Sequence, residues 1–181
     1  LYMGLVELGA GVIPAGGGTT NTLVRWLENI PDGMTVDRFP FIQKAFELIG
    51  MATVSFSAEM ARDYKYLRLN DRVVMDKDAL LSEAKKMVIG MYAGGYRQPA
   101  LPTNIILPGA PGLATFQMGL ANMAMGKFVT EYEVHIATKL ATILTGGDIE
   151  PNTAVSVERL QELECEAFMS LVGEAKTQER M

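Results

Sequence analysis

Tyr2-Met3-Gly4-Leu5-Val6-Glu7-Leu8-Gly9-Ala10-Gly11-Val12-Ile13-Pro14-Ala15-Gly16-Gly17-Gly18-Thr19-Thr20 is the stretch on which the fold turns. Alternation from Tyr2 to Glu7 predicts a short strand, and three glycines ahead of Thr19 and Thr20 predict a tight turn opening a helix. On a strand, Glu7 shares a face with Met3 and Leu5. A carboxyl group among apolar side chains is costly to ionise, and beside a glycine-rich backbone it is a candidate proton donor. The commoner fate of a glutamate is solvent, so the local pattern alone leaves both readings of Glu7 open.

Val6-Glu7-Leu8-Gly9-Ala10-Gly11-Val12-Ile13-Pro14-Ala15-Gly16-Gly17-Gly18-Thr19 resembles the strand-to-helix passage of the enoyl-CoA hydratase/isomerase (crotonase) superfamily, roughly Pro-Glu-x-x-x-Gly-x-Ile-Pro-Gly-x-Gly-Gly-Thr. It departs at Val6, where many members carry proline, and at Ala15, where many carry glycine. The likeness is nearest to the hydratase part of bacterial proteins that fuse a 3-hydroxyacyl-CoA dehydrogenase to a C-terminal enoyl-CoA hydratase. It extends through Glu166-Ala167-Phe168-Met169-Ser170-Leu171-Val172-Gly173-Glu174 and Lys176-Thr177-Gln178.

The resemblance implies that Glu7 donates a proton to C2 of a 2-enoyl-CoA while water adds at C3, and that Gly11, Ile13, Pro14, Gly16 and Gly17 contact the substrate. It implies a second glutamate and two backbone donors for the thioester oxygen on segments outside these 181 residues. This chain alone is therefore expected to be catalytically silent. No cofactor is expected in it, because NAD would belong to the fused dehydrogenase. The expected partners are acyl-CoA, the rest of its own polypeptide and further copies of itself.

One folded unit is expected from 181 residues, with 1–77 as the end of a core and 78–181 as a helical C-terminal region. The expected fold is mainly α with one or two short β-strands, the C-terminal portion of an α/β crotonase-like (ClpP/crotonase) fold. A net charge of −5 argues against nucleic acid and anionic membrane as partners. A single cysteine forms no internal disulfide, and with no signal peptide in view a reducing cytoplasm is the expected location. Leu1 falls within a predicted strand and Met181 within a predicted helix, so a fragment of a longer protein is expected.

Helices are predicted over 19–28, capped by Thr19 or Thr20 and ended by Pro31-Asp32-Gly33, and from Asp37 to Gly50 with Pro40 in the first turn. Ser57 caps a short helix ending near Lys65, where relatives have glycine. The lysine's Cβ argues there against a left-handed turn. Arg72-Val73-Val74-Met75 is predicted as a strand. Asp78 opens the clearest helical pattern, with Leu80, Leu81, Ala84, Met87, Val88, Met91 and Tyr92 on one face. Residues 96–112, with four prolines around Ile105-Ile106-Leu107, are expected to form an apolar strap. Helices follow to about 125, over 130–144 with a Thr130/Glu133 capping box, and over 157–171.

Other candidates have plainer readings. Gly16-Gly17-Gly18-Thr19 lacks the ending of a P-loop, and a close-packed turn is expected over a phosphate cradle. His135 projects away from its helix's apolar stripe, as a solvated or interface residue. No other His or Cys stands at ligand spacing, which gives no support to a metal site. Cys165 is expected as a buried filler. Glu164 projects onto an apolar face, which leaves two readings open: a pair with an arginine in the core or at a subunit contact, or a rotated helix. The segment from Met118 to Met125 is expected as core before acyl-chain tunnel. The rival to the hydratase reading is a non-catalytic helical module for assembly or for holding an acyl chain.

Overall fold

The computed structural model describes residues 1–31 and 35–181. It is mainly helical, built around α6 (Glu131–Leu144), whose residues Ile136, Leu140, Ala141 and Leu144 are fully buried. Around it pack α1 (Gly18–Leu27), α2 (Phe39–Gly50), α5 (Gly109–Met125) and α7 (Val157–Val172). Their apolar stripes meet in one core running from Val12 and Ile13 through Leu23, Ile42 and Ile49 to Leu160 and Leu171. That core draws on residues from both sides of position 77.

Helix ends follow local chemistry. Thr130 accepts from the Glu133 N–H while the Glu133 carboxylate accepts from the Thr130 N–H at 2.7 Å, so the capping box fixes where α6 begins. Ser57 caps α3 (Ala58–Asp63) and Ser156 caps α7 in the same way. Pro40 sits in the first turn of α2, where Asp37 accepts from the Phe39 N–H although Arg38 holds the cap position. The turn after α3 is left-handed at Lys65, with φ 60°, despite its Cβ.

Among the described residues four strands form two antiparallel pairs: β1 (Met3–Gly4) with β2 (Val54–Ser55), and β3 (Ile105–Leu107) with β4 (Thr153–Val155). The expected strap thus contains a strand, whose Ile105 and Leu107 face the core. Arg72–Met75 is not a strand. Among the described residues no neighbouring segment offers it a ladder, and Val73 and Met75 are exposed. The expected start of the next helix shifts from Asp78 to Leu80, where α4 (Leu80–Ala93) begins. Of the residues expected to end α1, Asp32 and Gly33 lie outside the described residues.

Candidate active site

Glu7 is not on a strand. β1 stops at Gly4, and Glu7 opens a 3-10 turn, Glu7–Ala10, closed by Gly9 N–H to the Val6 carbonyl and Gly11 N–H to the Leu8 carbonyl. The reason is local: Gly9 and Gly11 weaken extended pairing, and Gly11 takes φ 87°, a left-handed value that ends the turn. Glu7 is half-buried. Its Oε2 is screened from water and has no hydrogen-bond partner among the described residues.

The charge of Glu7 is felt at Tyr66. Burial pushes the Tyr66 phenol up, with the charge of Glu7 adding in the same direction, and its hydroxyl donates to the Thr53 carbonyl at 2.7 Å. A buried carboxyl oxygen with no donor of its own is uncommon, and such unpaired groups cluster at functional sites.

Two anchors from the far end of the sequence hold this turn. Thr177, in α8 (Ala175–Gln178), is fully buried, and its hydroxyl donates to the Gly11 carbonyl at 2.7 Å. It also shares a 2.5 Å hydrogen bond with the Tyr132 hydroxyl, which leaves it accepting from Tyr132. A Cβ on Gly11 would lie 2.9 Å from the Thr177 Oγ1, so only glycine fits beneath α8.

The second anchor is Glu164 on α7, fully buried. Its carboxylate accepts from the Gly17 N–H at 2.9 Å and from the Thr20 N–H at 2.5 Å. The expected arginine partner is replaced by the N-terminus of α1, whose free N–H groups and dipole favour a negative charge. Burial raises the Glu164 carboxyl above the usual range, while Thr20 and Gly17 pull the other way.

This also corrects the expected capping of α1. Gly17, at φ 86°, is the cap residue and offers no side chain, and Glu164 supplies the acceptor instead. Thr19 turns back and donates to the Pro14 carbonyl at 3.0 Å. The glycine-rich turn thus holds a carboxylate of the chain itself.

Of the residues assigned to substrate contact by resemblance, Gly11, Ile13, Pro14 and Gly17 are buried and Gly16 is exposed. Thr177 and Tyr132 were not singled out from sequence. Nothing local marks them, since their partner Gly11 lies 166 residues from Thr177. Cys165 is exposed, not a buried filler, because α7 turns Leu163, Glu164 and Ala167 inward around it. His135 is half-exposed with Nε2 2.9 Å from Glu174 Oε1, which ties α6 to the start of α8. Among the described residues no cluster of His, Cys, Asp and Glu could hold a metal ion, and no helix is long and apolar enough to cross a membrane.

Beside the Glu7 turn lies a cavity of about 440 Å³. Leu8 and Gly9 form part of its wall, with Phe46 and Gly50 of α2, Met123 of α5 and Ile136 of α6.

No protein-family profile and no solved structure matches the chain. A probable 3-hydroxyacyl-CoA dehydrogenase of Bacillus subtilis (strain 168) is 39% identical to it over 180 residues. That alignment takes in 99% of this chain but 22% of the relative, so the chain is similar, nearly end to end, to a minor portion of a longer dehydrogenase.

Proposed function

We propose that the chain is the C-terminal part of a crotonase-like enoyl-CoA hydratase unit within a longer protein that also carries 3-hydroxyacyl-CoA dehydrogenase activity. Such a protein would convert 2-enoyl-CoA to 3-hydroxyacyl-CoA and then oxidise it. The observation that carries the reading is the likeness to the Bacillus dehydrogenase over nearly the whole chain, joined to the unpartnered Glu7 carboxyl oxygen at the matched motif.

In this reading Glu7 gives its proton to C2 as the C2–C3 π pair forms the new C–H bond. A water oxygen bonds to C3, and the proton this water sheds passes to a second carboxylate outside these 181 residues. Gly11, Ile13, Pro14, Gly16 and Gly17 shape the turn past which the thioester runs. The N–H groups that stabilise the thioester oxygen also lie outside the chain, and each such donor contributes on the order of 3 kcal/mol. The isolated chain is accordingly inactive.

The test is Glu7→Gln in the longer protein. Hydration of crotonyl-CoA is expected to fall roughly 10²–10⁴-fold, the usual contribution of a positioned acid, while oxidation of 3-hydroxybutyryl-CoA stays at the parent rate. Unchanged hydration would remove Glu7 from the chemistry. The exposed apolar face of α4 favours a second reading, in which the chain serves assembly. A longer protein that oxidises but never hydrates would support it.

A further inference from the structure

The direction in which Glu7 presents its carboxyl is set only weakly by its own surroundings. None of Glu7–Ala10 is fully buried, and of the four only Leu8 packs against the main core. The screened Glu7 Oε2 has no hydrogen-bond partner among the described residues. The turn is fixed instead by its backbone, where Gly11 N–H donates to the Leu8 carbonyl at 3.1 Å and Val12 N–H to the Glu7 carbonyl at 3.2 Å.

Val12 N–H and the Gly11 carbonyl belong to one peptide unit, whose two polar groups lie in one plane and point opposite ways. One of them meets Glu7, and the other accepts from the Thr177 hydroxyl at 2.7 Å. Turning that carbonyl away from Thr177 would swing the Val12 N–H off Glu7.

Thr177 is aimed in turn. Its one hydroxyl hydrogen goes to Gly11, so its oxygen accepts from the Tyr132 phenol at 2.5 Å. The Tyr132 ring is buried and carries the Lys176 and Arg180 side chains at 5.5 and 5.4 Å from its centroid. Those two cations flank Thr177 in sequence, so the ring seats the segment that presents the hydroxyl.

We propose that Thr177 is a positioning residue for Glu7: its hydroxyl, oriented by Tyr132, holds the Gly11–Val12 peptide and through it the angle at which the carboxyl leaves the backbone. Thr177 is wholly buried and acts only through that peptide. The proposal deepens the hydratase reading and rests on it for the reaction that Glu7 serves.

The first arm of the test reads the turn without turnover, by amide exchange in the 181-residue chain. Thr177→Val keeps the shape and deletes the hydroxyl. It is expected to speed exchange at Gly11 and Val12 roughly tenfold while Leu140 of α6 stays at the parent rate, and Thr177→Ser is expected to behave as the parent. Unaltered exchange at Gly11 and Val12, or an equal rise at Leu140, would overturn the inference.

The second arm uses the longer protein. A misplaced acid costs turnover more than binding, so Thr177→Val is expected to lower kcat for crotonyl-CoA hydration roughly 10–100-fold with KM within about twofold. Oxidation of 3-hydroxybutyryl-CoA stays at the parent rate. Thr177→Ser restores kcat, Tyr132→Phe loses less than Thr177→Val, and the Tyr132→Phe/Thr177→Val double variant loses no more than Thr177→Val alone. In a Glu7→Gln background Thr177→Val costs nothing further. A loss confined to KM, no rescue by serine, or the same loss again on top of Glu7→Gln would overturn the inference while the hydratase reading stands. Full hydration by Glu7→Gln would fell that reading instead, and the exchange arm then decides whether Thr177 sets the turn.

Discussion

Glu164 shows at the residue scale how a buried charge is held without a counter-ion. Two backbone N–H groups and a helix dipole stand in for the cation, and burial still lifts the carboxyl above its ordinary range. A carboxyl raised in the folded state binds more protons folded than unfolded. Its contribution to stability is therefore full below the unfolded value and declines as pH rises through the raised one. Glu164→Gln removes that titration and weakens one of the two acceptors, at a cost of about 1–3 kcal/mol. In urea unfolding the advantage of the parent over Glu164→Gln should shrink as pH rises above the ordinary glutamate range. A difference that does not vary with pH would contradict the account. From sequence, the apolar projection correctly marked Glu164 as odd, but it could not supply the partner, because a backbone N–H 147 residues away leaves no trace in residue type.

At the scale of elements, what was legible depended on whether the cause was local. The capping box of α6 and the serine cap of α3 are spelled by three or four adjacent residues, and those helices begin where the spelling says. Strands depend on a partner. Arg72–Met75 has the right residue types and no neighbour, whereas Ile105–Leu107 reads as an apolar strap and is paired by Thr153–Val155. Glu7 fell on the wrong element for a related reason: alternation over six residues cannot outvote two glycines that close a 3-10 turn. The turn after α3 is left-handed in spite of its lysine, since Leu67 N–H to Ala61 O and Arg25 to the Lys65 and Tyr66 carbonyls close it from outside. Lys65→Gly should accordingly stabilise the chain by about 0.5–1 kcal/mol through relief at φ 60°, read as a rise in the urea midpoint. A fall would mean that the Lys65 ammonium near Trp26 matters more than the backbone strain.

Across the described residues α4 stands apart as the helix with no buried residue. α4 has the most regular apolar spacing in the sequence, yet it buries no residue, with Leu81 82% and Val88 64% exposed. Periodicity reports that a helix has an apolar face, not that the same chain covers it. In the 181-residue chain, amide exchange in α4 should therefore be fast beside that in α6, whose Ile136 and Leu140 are wholly enclosed. Val88→Glu should change unfolding stability by no more than about 0.5 kcal/mol. Strong protection of α4 at low protein concentration would show that it is covered after all.

The clasp between Thr177 and Gly11 gives the molecule an order of assembly. A ribosome releases the Glu7 turn long before the two helices that seat it, and at ~5–20 residues per second the separation of 166 residues between Gly11 and Thr177 takes roughly 10–30 s to translate. Through that interval the acidic turn has no seat, and premature termination anywhere before α8 would leave it unset.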